Sequence, residues 1–154
     1  MENYYGTRPK KRMGAGVLIF NDQGEILIVK PTYKDHWSIP GGVIDKDESP
    51  RQARIREVEE EIGLKLDISI FVAVGHTLDL GPKGESPQFI FYGGELTDTQ
   101  AKSIKLPEKE LSEHRFLSVE KALPLLNPKL QLCIPKCIDA LKRNVAVYLE
   151  NGII

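Results

Sequence analysis

The sequence has no apolar run of about 18 residues, which is the length that a membrane-spanning helix requires, and it has only two cysteines among 154 residues. So few cysteines argue against a disulfide scaffold. An excess of one charge is also lacking, since 21 basic and 22 acidic residues leave a net charge of −1. No overall field therefore favours nucleic acid or an anionic membrane as a partner. The first residues lack the apolar core of a signal peptide, and we expect a cytoplasmic protein.

The composition is ordinary for a globular protein, with 41% hydrophobic and 28% charged residues. The length suits one domain with a sizeable core, and we predict a single domain over residues 1–154. Cys133 and Cys137 are spaced to share one face of a helix. We expect them to be core or interface thiols, because free cysteine behaves as a small hydrophobic residue.

Strand-like and helix-like segments are mixed along the chain. A turn at 21–24 separates two apolar segments, and a strand over 88–96 would place Phe89 and Phe91 on the face opposite Ile90 and Tyr92. Residues 39–42 read as a chain breaker and 97–113 as irregular, while an amphipathic helical pattern continues to about Glu150. These patterns predict an α/β sandwich. The predicted strands are 13–20, 25–30, 66–76, 88–96 and 114–117.

Three acidic residues are crowded on one short predicted helix. Glu57, Glu60 and Glu61 are spaced i, i+3 and i+4, so their side chains are neighbours on the helix surface. Like charges at these spacings destabilise an isolated helix, whereas a divalent cation would convert the repulsion into coordination. Clustered carboxylates are the ligands that hard cations such as Mg²⁺ prefer. This spacing therefore predicts a metal site.

The ends and faces of this helix are also specified by the sequence. Ser49 and Gln52 form a capping-box pair, with Pro50 at the first helical position and Gly63 at the C-terminal end. The face roughly opposite the acids, with Ile55, Val58 and Ile62, is expected to be buried. Ala53 lies on the acidic face, where its small side chain would leave room for a metal or a phosphate.

The segment from Gly42 to Leu64 resembles the Nudix box, the signature of the Nudix hydrolases. The family pattern has glycine, glutamate, an Arg-Glu pair, a Glu-Glu pair and a final glycine at fixed spacings, with an aliphatic residue at two further positions. Every specified position is met, by Gly42, Glu48, Arg56, Glu57, Val58, Glu60, Glu61, Gly63 and Leu64. The resemblance implies a mixed β-sheet between helices, with the box as a loop-helix-loop.

The resemblance also implies roles for individual residues. Glu57, Glu60 and Glu61 match the metal-binding and catalytic glutamates of the family. Gly41 matches a position whose backbone carbonyl joins the metal shell. The implied cofactor is Mg²⁺, with Mn²⁺ as a substitute. Structural support of the site is implied for Gly42, Glu48 and Arg56.

Members of the family recruit a further acid from a later loop. Four glutamates are candidates, and we favour Glu110 because the segment around it resembles the acid-loop-strand segment of relatives. For each of the others a solvated loop position is the simpler interpretation. The four candidates are Glu85, Glu108, Glu110 and Glu113.

Several other residues have a simple interpretation beside a functional one. Trp37 is expected to pack in the core rather than to stack on a base. Tyr33 and Phe89 are suitable for stacking on a nucleobase, but packing is the more common role of each. The basic residues at positions 8 and 10–12 are expected to form a solvated arm, with phosphate contact as the alternative.

The implied reaction is metal-dependent hydrolysis of the diphosphate linkage of a nucleoside diphosphate derivative, with water attacking phosphorus. A small nucleotide is the expected substrate. Because members of the family often dimerise, a homodimer is a further possibility for this chain. Two alternatives remain, an RNA 5′-end pyrophosphohydrolase and a nucleotide-binding sensor without turnover. Nucleic acid is the less favoured partner, because RNA binding depends on basic surface.

Overall fold

A computed structural model describes residues 3–67 and 70–153, with side chains described up to residue 150. Strands and helices are mixed along the chain. The strands are β1 (Gly14–Asn21), β2 (Ile26–Pro31), β3 (Gly41–Val43), β4 (Ile70–Leu78), β5 (Ser86–Leu96), β6 (Leu111–Leu117) and β7 (Val147–Ile153). The helices are α1 (Pro50–Ile62), α2 (Asp98–Lys102), α3 (Val119–Ala122) and α4 (Pro128–Lys142), with 3-10 turns at Tyr5–Thr7 and Leu123–Leu125.

The strands form one mixed sheet in the order β6-β2-β1-β5-β4-β7, with β3 paired to β1. Strand β1 runs parallel to β5, and β4 runs parallel to β7, whereas the other pairs are antiparallel. Along its whole length β1 has β5 on one side. On the other side its partner changes from β3 at residues 14–16 to β2 at Phe20.

Helices cover both faces of the sheet, which explains why residues 14–20 of β1 and 26–29 of β2 are all apolar. Val17 and Ile19 pack with Val58 and Ile62 of α1. Leu18, between them in sequence, packs on the opposite face with residues of α4 that include Cys133, Ile134 and Cys137. The predicted α/β sandwich is therefore confirmed, and both cysteines are buried core residues.

Most sequence-predicted strands and helix starts agree with the structure to within a few residues. The turn at 21–24, the two strands around it and the strand over 88–96 are present. Phe89 and Phe91 share one core cluster, and Ile90 and Tyr92 pack in a different one, as the alternation predicted. The strand predicted over 66–76 begins at Ile70; residues 68 and 69 lie outside the described residues.

Three predictions about secondary structure are wrong. Residues 41 and 42 belong to the segment 39–42 that was interpreted as a chain breaker, yet they form strand β3, which pairs with β1. The segment 97–113 is not irregular throughout, because Thr97 and Gln100 cap the short helix α2 and β6 starts at Leu111. The helical pattern does not extend to Glu150, since α4 ends at Lys142 and β7 pairs with β4.

Among the described residues, no helix is both long enough and apolar enough to span a membrane. Helix α4 continues across Pro135.

Candidate functional site

The acidic helix α1 begins and ends where the local signals place it. The hydroxyl of Ser49 accepts a hydrogen bond from the Gln52 N–H at 3.1 Å, and the Ser49 N–H donates to the Gln52 side chain at 2.9 Å. Pro50 is the first helical residue. Gly63 has the left-handed φ of 73° that suits a C-terminal cap, and its N–H donates to the Glu59 carbonyl.

The buried face of α1 differs from the expected one in three respects. Val58 and Ile62 are fully buried, as predicted, but Ile55 is only half-buried. Ala53 is also fully buried and packs with Ala15 and Phe91, so the space expected there for a metal or phosphate is filled. Arg54 was not singled out by the sequence, yet its guanidinium is fully buried and donates to the carbonyls of residues 66 and 67.

Strand β3 carries two glycines against the acidic face of α1. The Gly41 N–H donates to Oε2 of Glu61 at 3.2 Å. A Cβ atom on Gly42 would collide with the carboxylate of Glu57. The glycines therefore permit a close approach between β3 and two of the acids.

Glu57 and Glu61 line the same open cavity, together with Gly41 and Gly42. The cavity lies where the partner of β1 changes, and residues of β1, β2 and β3 line it. Its volume is about 880 Å³, within the usual range for small-molecule sites.

Glu60 has a different position from the other two predicted metal ligands. Its side chain is 54% exposed, and it lines a shallow surface depression on α1 rather than this cavity. One Glu60 oxygen lies 3.3 Å from Nη1 of Arg56.

Arg56 connects the loop before α1 to the acids on it. Its guanidinium donates to both carboxylate oxygens of Glu48, at 2.7 and 2.9 Å, and to Oε1 of Glu57 at 2.9 Å. It also donates to the Val43 carbonyl at 3.1 Å. These hydrogen bonds lower the pKa of Glu48 to about 2 and raise that of Arg56. Such contacts are those expected of a brace between the loop and the helix.

The carboxylate of Glu61 accepts a hydrogen bond from a backbone N–H. Its pKa is raised to about 8, mainly by burial and also by the charges of Glu57, Glu110 and Glu60, against the lowering effect of the Gly41 hydrogen bond. Burial also raises the pKa of Glu57 despite its bond to Arg56. A cation in this cavity would favour the charged form of both acids.

Glu110 is the only one of the four loop acids that lines the cavity. Its charge acts on Glu61. Glu85 instead lies 2.9 Å from Nζ of Lys11 and 2.8 Å from His76, and Glu113 lies 2.8 Å from Arg115. The preference for Glu110 thus has support in its position.

The carboxylates described in the structure do not form a complete set of metal ligands. Within residues 3–67 and 70–153, no group of three or more His, Cys, Asp or Glu side chains is arranged to hold a metal ion. Arg56 engages Glu57, and Glu60 lies outside the cavity. A donor set of carboxylates with waters and phosphate oxygens is nevertheless the kind that Mg²⁺ takes.

Four cationic side chains also line the cavity, and the sequence pointed to only one of them. Arg12 belongs to the basic run that was expected to be a solvated arm. The other three are Lys34, Lys83 and Lys129. Of these three lysines, only Lys129 has a recognisable sequence signal for a position near an anion site. It follows Asn127-Pro128, which starts a helix, so its cation lies at the N-terminal end of that helix.

The aromatic residues are divided between packing and the cavity. Trp37 is 8% exposed in the core, with the Arg115 guanidinium 4.8 Å from its ring centre. Phe89 packs beside Phe71 and Phe91. Tyr33 is 73% exposed and lines the cavity, so of the two aromatic residues considered for stacking, Tyr33 has the suitable position.

Comparison with known proteins gives one family and several relatives. The model of the NUDIX domain matches residues 10–137. The chain is 35% identical over 88 residues to the putative 8-oxo-dGTP diphosphatase of Bacillus subtilis, covering 57% of this chain and 56% of that protein. It is 43% identical over 53 residues to the RNA pyrophosphohydrolase of Hahella chejuensis, covering 34% and 33%. The matches thus span about half or less of these relatives.

Solved structures show a similar fold. The MutT protein from Methanosarcina mazei Go1 has a TM-score of 0.74 at 23% identity, over 88% of this chain and 99% of that one. A UDP-X diphosphatase also has a TM-score of 0.74 at 23% identity, over 95% of this chain and 70% of that one. At these identities the likeness concerns the fold.

Proposed function

The chain belongs to the Nudix family, and from this premise we propose that it is a metal-dependent hydrolase that cleaves the diphosphate linkage of a nucleoside diphosphate derivative. The observation that carries the proposal is the convergence of Glu57, Glu61 and Glu110 with the Gly41 backbone on one cavity. These groups come from a helix, a strand and a loop that are distant in sequence. A cavity lined by carboxylates suits a divalent cation together with the phosphate groups that complete its coordination.

The residues have distinct roles in this proposal. Glu57, Glu61 and the Gly41 carbonyl would hold Mg²⁺ or Mn²⁺, and the exposed Glu60 would join them by turning its side chain. The bound cation supplies Lewis-acid activation of the phosphoryl group and of water. Glu110 accepts a proton from the attacking water. Glu48 and Arg56 hold the loop against α1, and Gly42 leaves space for the Glu57 carboxylate.

Hydrolysis at RNA 5′ ends is a second candidate with specific support. Relatives named RNA pyrophosphohydrolase match this chain at 43% identity over 53 residues and at 38% over 68 residues. The four cations in the cavity would suit a 5′-phosphate chain. The net charge of −1 argues against an RNA substrate. Steeply salt-dependent RNA binding would favour this candidate.

Three further expectations belong to the proposal. They are a single domain over residues 1–154, a cytoplasmic location and assembly as a homodimer. A sensor that binds a nucleotide without turnover is the alternative class, and tight binding without metal-dependent hydrolysis would identify it.

The proposal is tested by comparing glutamates on the same helix. We expect Glu61→Gln to lower kcat at least about 100-fold with Mg²⁺ on a panel of nucleotides, because removing a charged ligand weakens stabilisation of the transition state. Glu59→Gln is the matched control, since Glu59 is exposed on α1 and does not line the cavity. Its activity should stay within about twofold of wild type. Equal rates for wild type and Glu61→Gln would contradict the proposed site.

A further inference from the structure

The cavity that contains the acids also gathers four cations from separate segments of the chain. Arg12 precedes β1, Lys34 follows β2, Lys83 lies between β4 and β5, and Lys129 is in the first turn of α4. Sequence proximity does not account for their meeting, because more than 100 residues separate the first from the last.

These four side chains are close enough to repel one another. The pKa of Lys34 is lowered by burial and by the charges of Lys83 and Arg12. The pKa of Lys129 is lowered by burial and by the charges of Arg12, Lys34 and Lys83. Folding therefore brings like charges together in a partly desolvated place, at a cost to stability.

Acidic side chains do not offset this repulsion by direct pairing. Within the described part of the chain, none of the four cations has a carboxylate oxygen within 4.0 Å. Two further acids, Asp35 and Asp79, line the cavity. Asp79 accepts a hydrogen bond from the Gly81 N–H at 2.6 Å. By contrast Lys11, beside Arg12 in sequence, lies 2.9 Å from Glu85.

Lys129 has a second unfavourable feature. It is the second residue of α4, a helix of 15 residues whose N-cap is Asn127. The N-terminal end of a helix carries a partial positive charge, which disfavours a cation and favours an anion. Asn127 and Pro128 line the cavity beside Lys129. A bound anion would therefore relieve both the repulsion among the cations and the unfavourable dipole.

We propose that Arg12, Lys34, Lys83 and Lys129 form an anion subsite, which binds phosphate groups beyond those that the acidic residues hold through a metal. The preferred substrates then carry a chain of three or more phosphates. The substrate preference rests on the proposed hydrolase function, whereas anion binding by the four cations does not. The cavity thus binds the phosphate chain in two ways, through a cation held by carboxylates and through direct contact with basic side chains.

The binding test uses inorganic tripolyphosphate with the full chain in EDTA, measured by calorimetry. We expect wild type to bind it, and Lys129→Met and Lys83→Met each to bind it about tenfold more weakly, a loss of one charge contact. Lys136→Met is the control, because Lys136 is exposed on the same helix and does not line the cavity. In the absence of phosphate, Lys129→Met should melt at or above the wild-type temperature. No binding by wild type, or equal binding by all variants, would overturn the subsite.

The kinetic test compares substrates with two and with three phosphates in the presence of Mg²⁺. Lys129→Met should raise KM about tenfold for a nucleoside triphosphate and leave KM for a nucleoside diphosphate sugar within about twofold. A 5′-triphosphorylated oligoribonucleotide is the third substrate. The same rise in KM with a steeper salt dependence would identify an RNA end as the source of the phosphate chain. Equal effects on diphosphate and triphosphate substrates would overturn the preference.

The two proposals fail in distinguishable ways. Tripolyphosphate binding that depends on Lys129, without hydrolysis of any substrate, would leave the anion subsite and remove the hydrolase. Metal-dependent hydrolysis, together with tripolyphosphate binding that does not depend on Lys129, would support the hydrolase and overturn the anion subsite.

Discussion

At the scale of single residues, the acids of α1 differ in what neutralises them. Arg56 donates to Glu57 and lies 3.3 Å from Glu60, whereas Glu61 receives only a backbone N–H among the hydrogen bonds of the described residues. The charges of the neighbouring carboxylates Glu57 and Glu110 also raise the pKa of Glu61. We therefore expect the protonation of Glu61 to respond to a bound cation.

The raised pKa of Glu61 predicts how stability depends on pH when metal is removed. Because folding raises this pKa from 4.5 to about 8, the folded state favours the protonated acid. Its contribution to stability is complete below about pH 4.5 and is lost as the pH rises to about 8. We expect the free energy of unfolding in EDTA to fall by a few kcal/mol over this range, at about 1.36 kcal/mol for each unit of pKa difference.

Urea unfolding of wild type and Glu61→Gln from pH 4.5 to 9 measures this dependence. The variant should have a flatter profile, since glutamine does not titrate, although the raised pKa of Glu57 leaves part of the slope. Added Mg²⁺ should stabilise wild type more at pH 8 than at pH 5, because it binds the charged acid. Profiles of equal slope for the two proteins would contradict the role of Glu61.

At the scale of elements, α1 was predictable and β3 was not. The signals that start and stop α1 act within a few residues, as the Ser49–Gln52 pair and Gly63 show. The strand-forming property of residues 41–43 comes instead from β1, which pairs with them across more than 20 residues of sequence. Glycines disfavour a strand by propensity, yet close approach requires them here.

Alanine substitutions in β3 should separate folding from activity. A Cβ on Gly41 would meet the backbone of residues 15 and 16, and its φ of 152° disfavours other residues, so Gly41→Ala should destabilise the fold by about 1–3 kcal/mol. The three atoms nearest to a Cβ on Gly42 all belong to the movable carboxylate of Glu57.

We therefore expect Gly42→Ala to melt near the wild-type temperature and to lose at least about tenfold in kcat, because its Glu57 carboxylate is displaced. Thermal melts and initial rates with Mg²⁺ check both variants. Full activity of Gly42→Ala would argue against a role for the Glu57 position.

The same distinction between local and distant signals explains the rest of the comparison with sequence. The Nudix resemblance depends on residues within one loop and helix, so the box glutamates and the fold could be named in advance. The three lysines of the cavity could not, because only the folded sheet brings Lys34 and Lys83 into one cavity with Lys129. Residues 147–150 continue an amphipathic pattern, but the edge of β4 makes them a strand.

At the scale of the whole molecule, β7 connects the end of the described chain to both the core and the cavity. Leu149 is 8% exposed, packs with the core on the α4 face and lines the cavity. Its neighbour Tyr148 is 63% exposed, and its hydroxyl donates to Glu150 at 3.0 Å. Adjacent residues of β7 thus differ in burial, as strand geometry requires.

A pair of substitutions in β7 tests this arrangement. Leu149→Ala should lower the free energy of unfolding by about 2–3 kcal/mol, because it leaves a cavity in the core. Tyr148→Thr keeps a residue that favours strands and should change stability by less than about 1 kcal/mol. Chemical denaturation measures both. Equal costs would contradict the alternation of exposed and buried residues at positions 148 and 149 of β7.

The parallel pairing of β1 with β5 has a consequence for synthesis on the ribosome. Residues 14–21 cannot meet their partner until residues 88–96 have left the exit tunnel. The hairpin of β1 and β2 can form early, but the other edge of β1 stays unpaired until about seventy more residues have been translated. During that interval the nascent chain exposes the unpaired backbone N–H and C=O groups of an apolar strand, which is the kind of surface that chaperones shield.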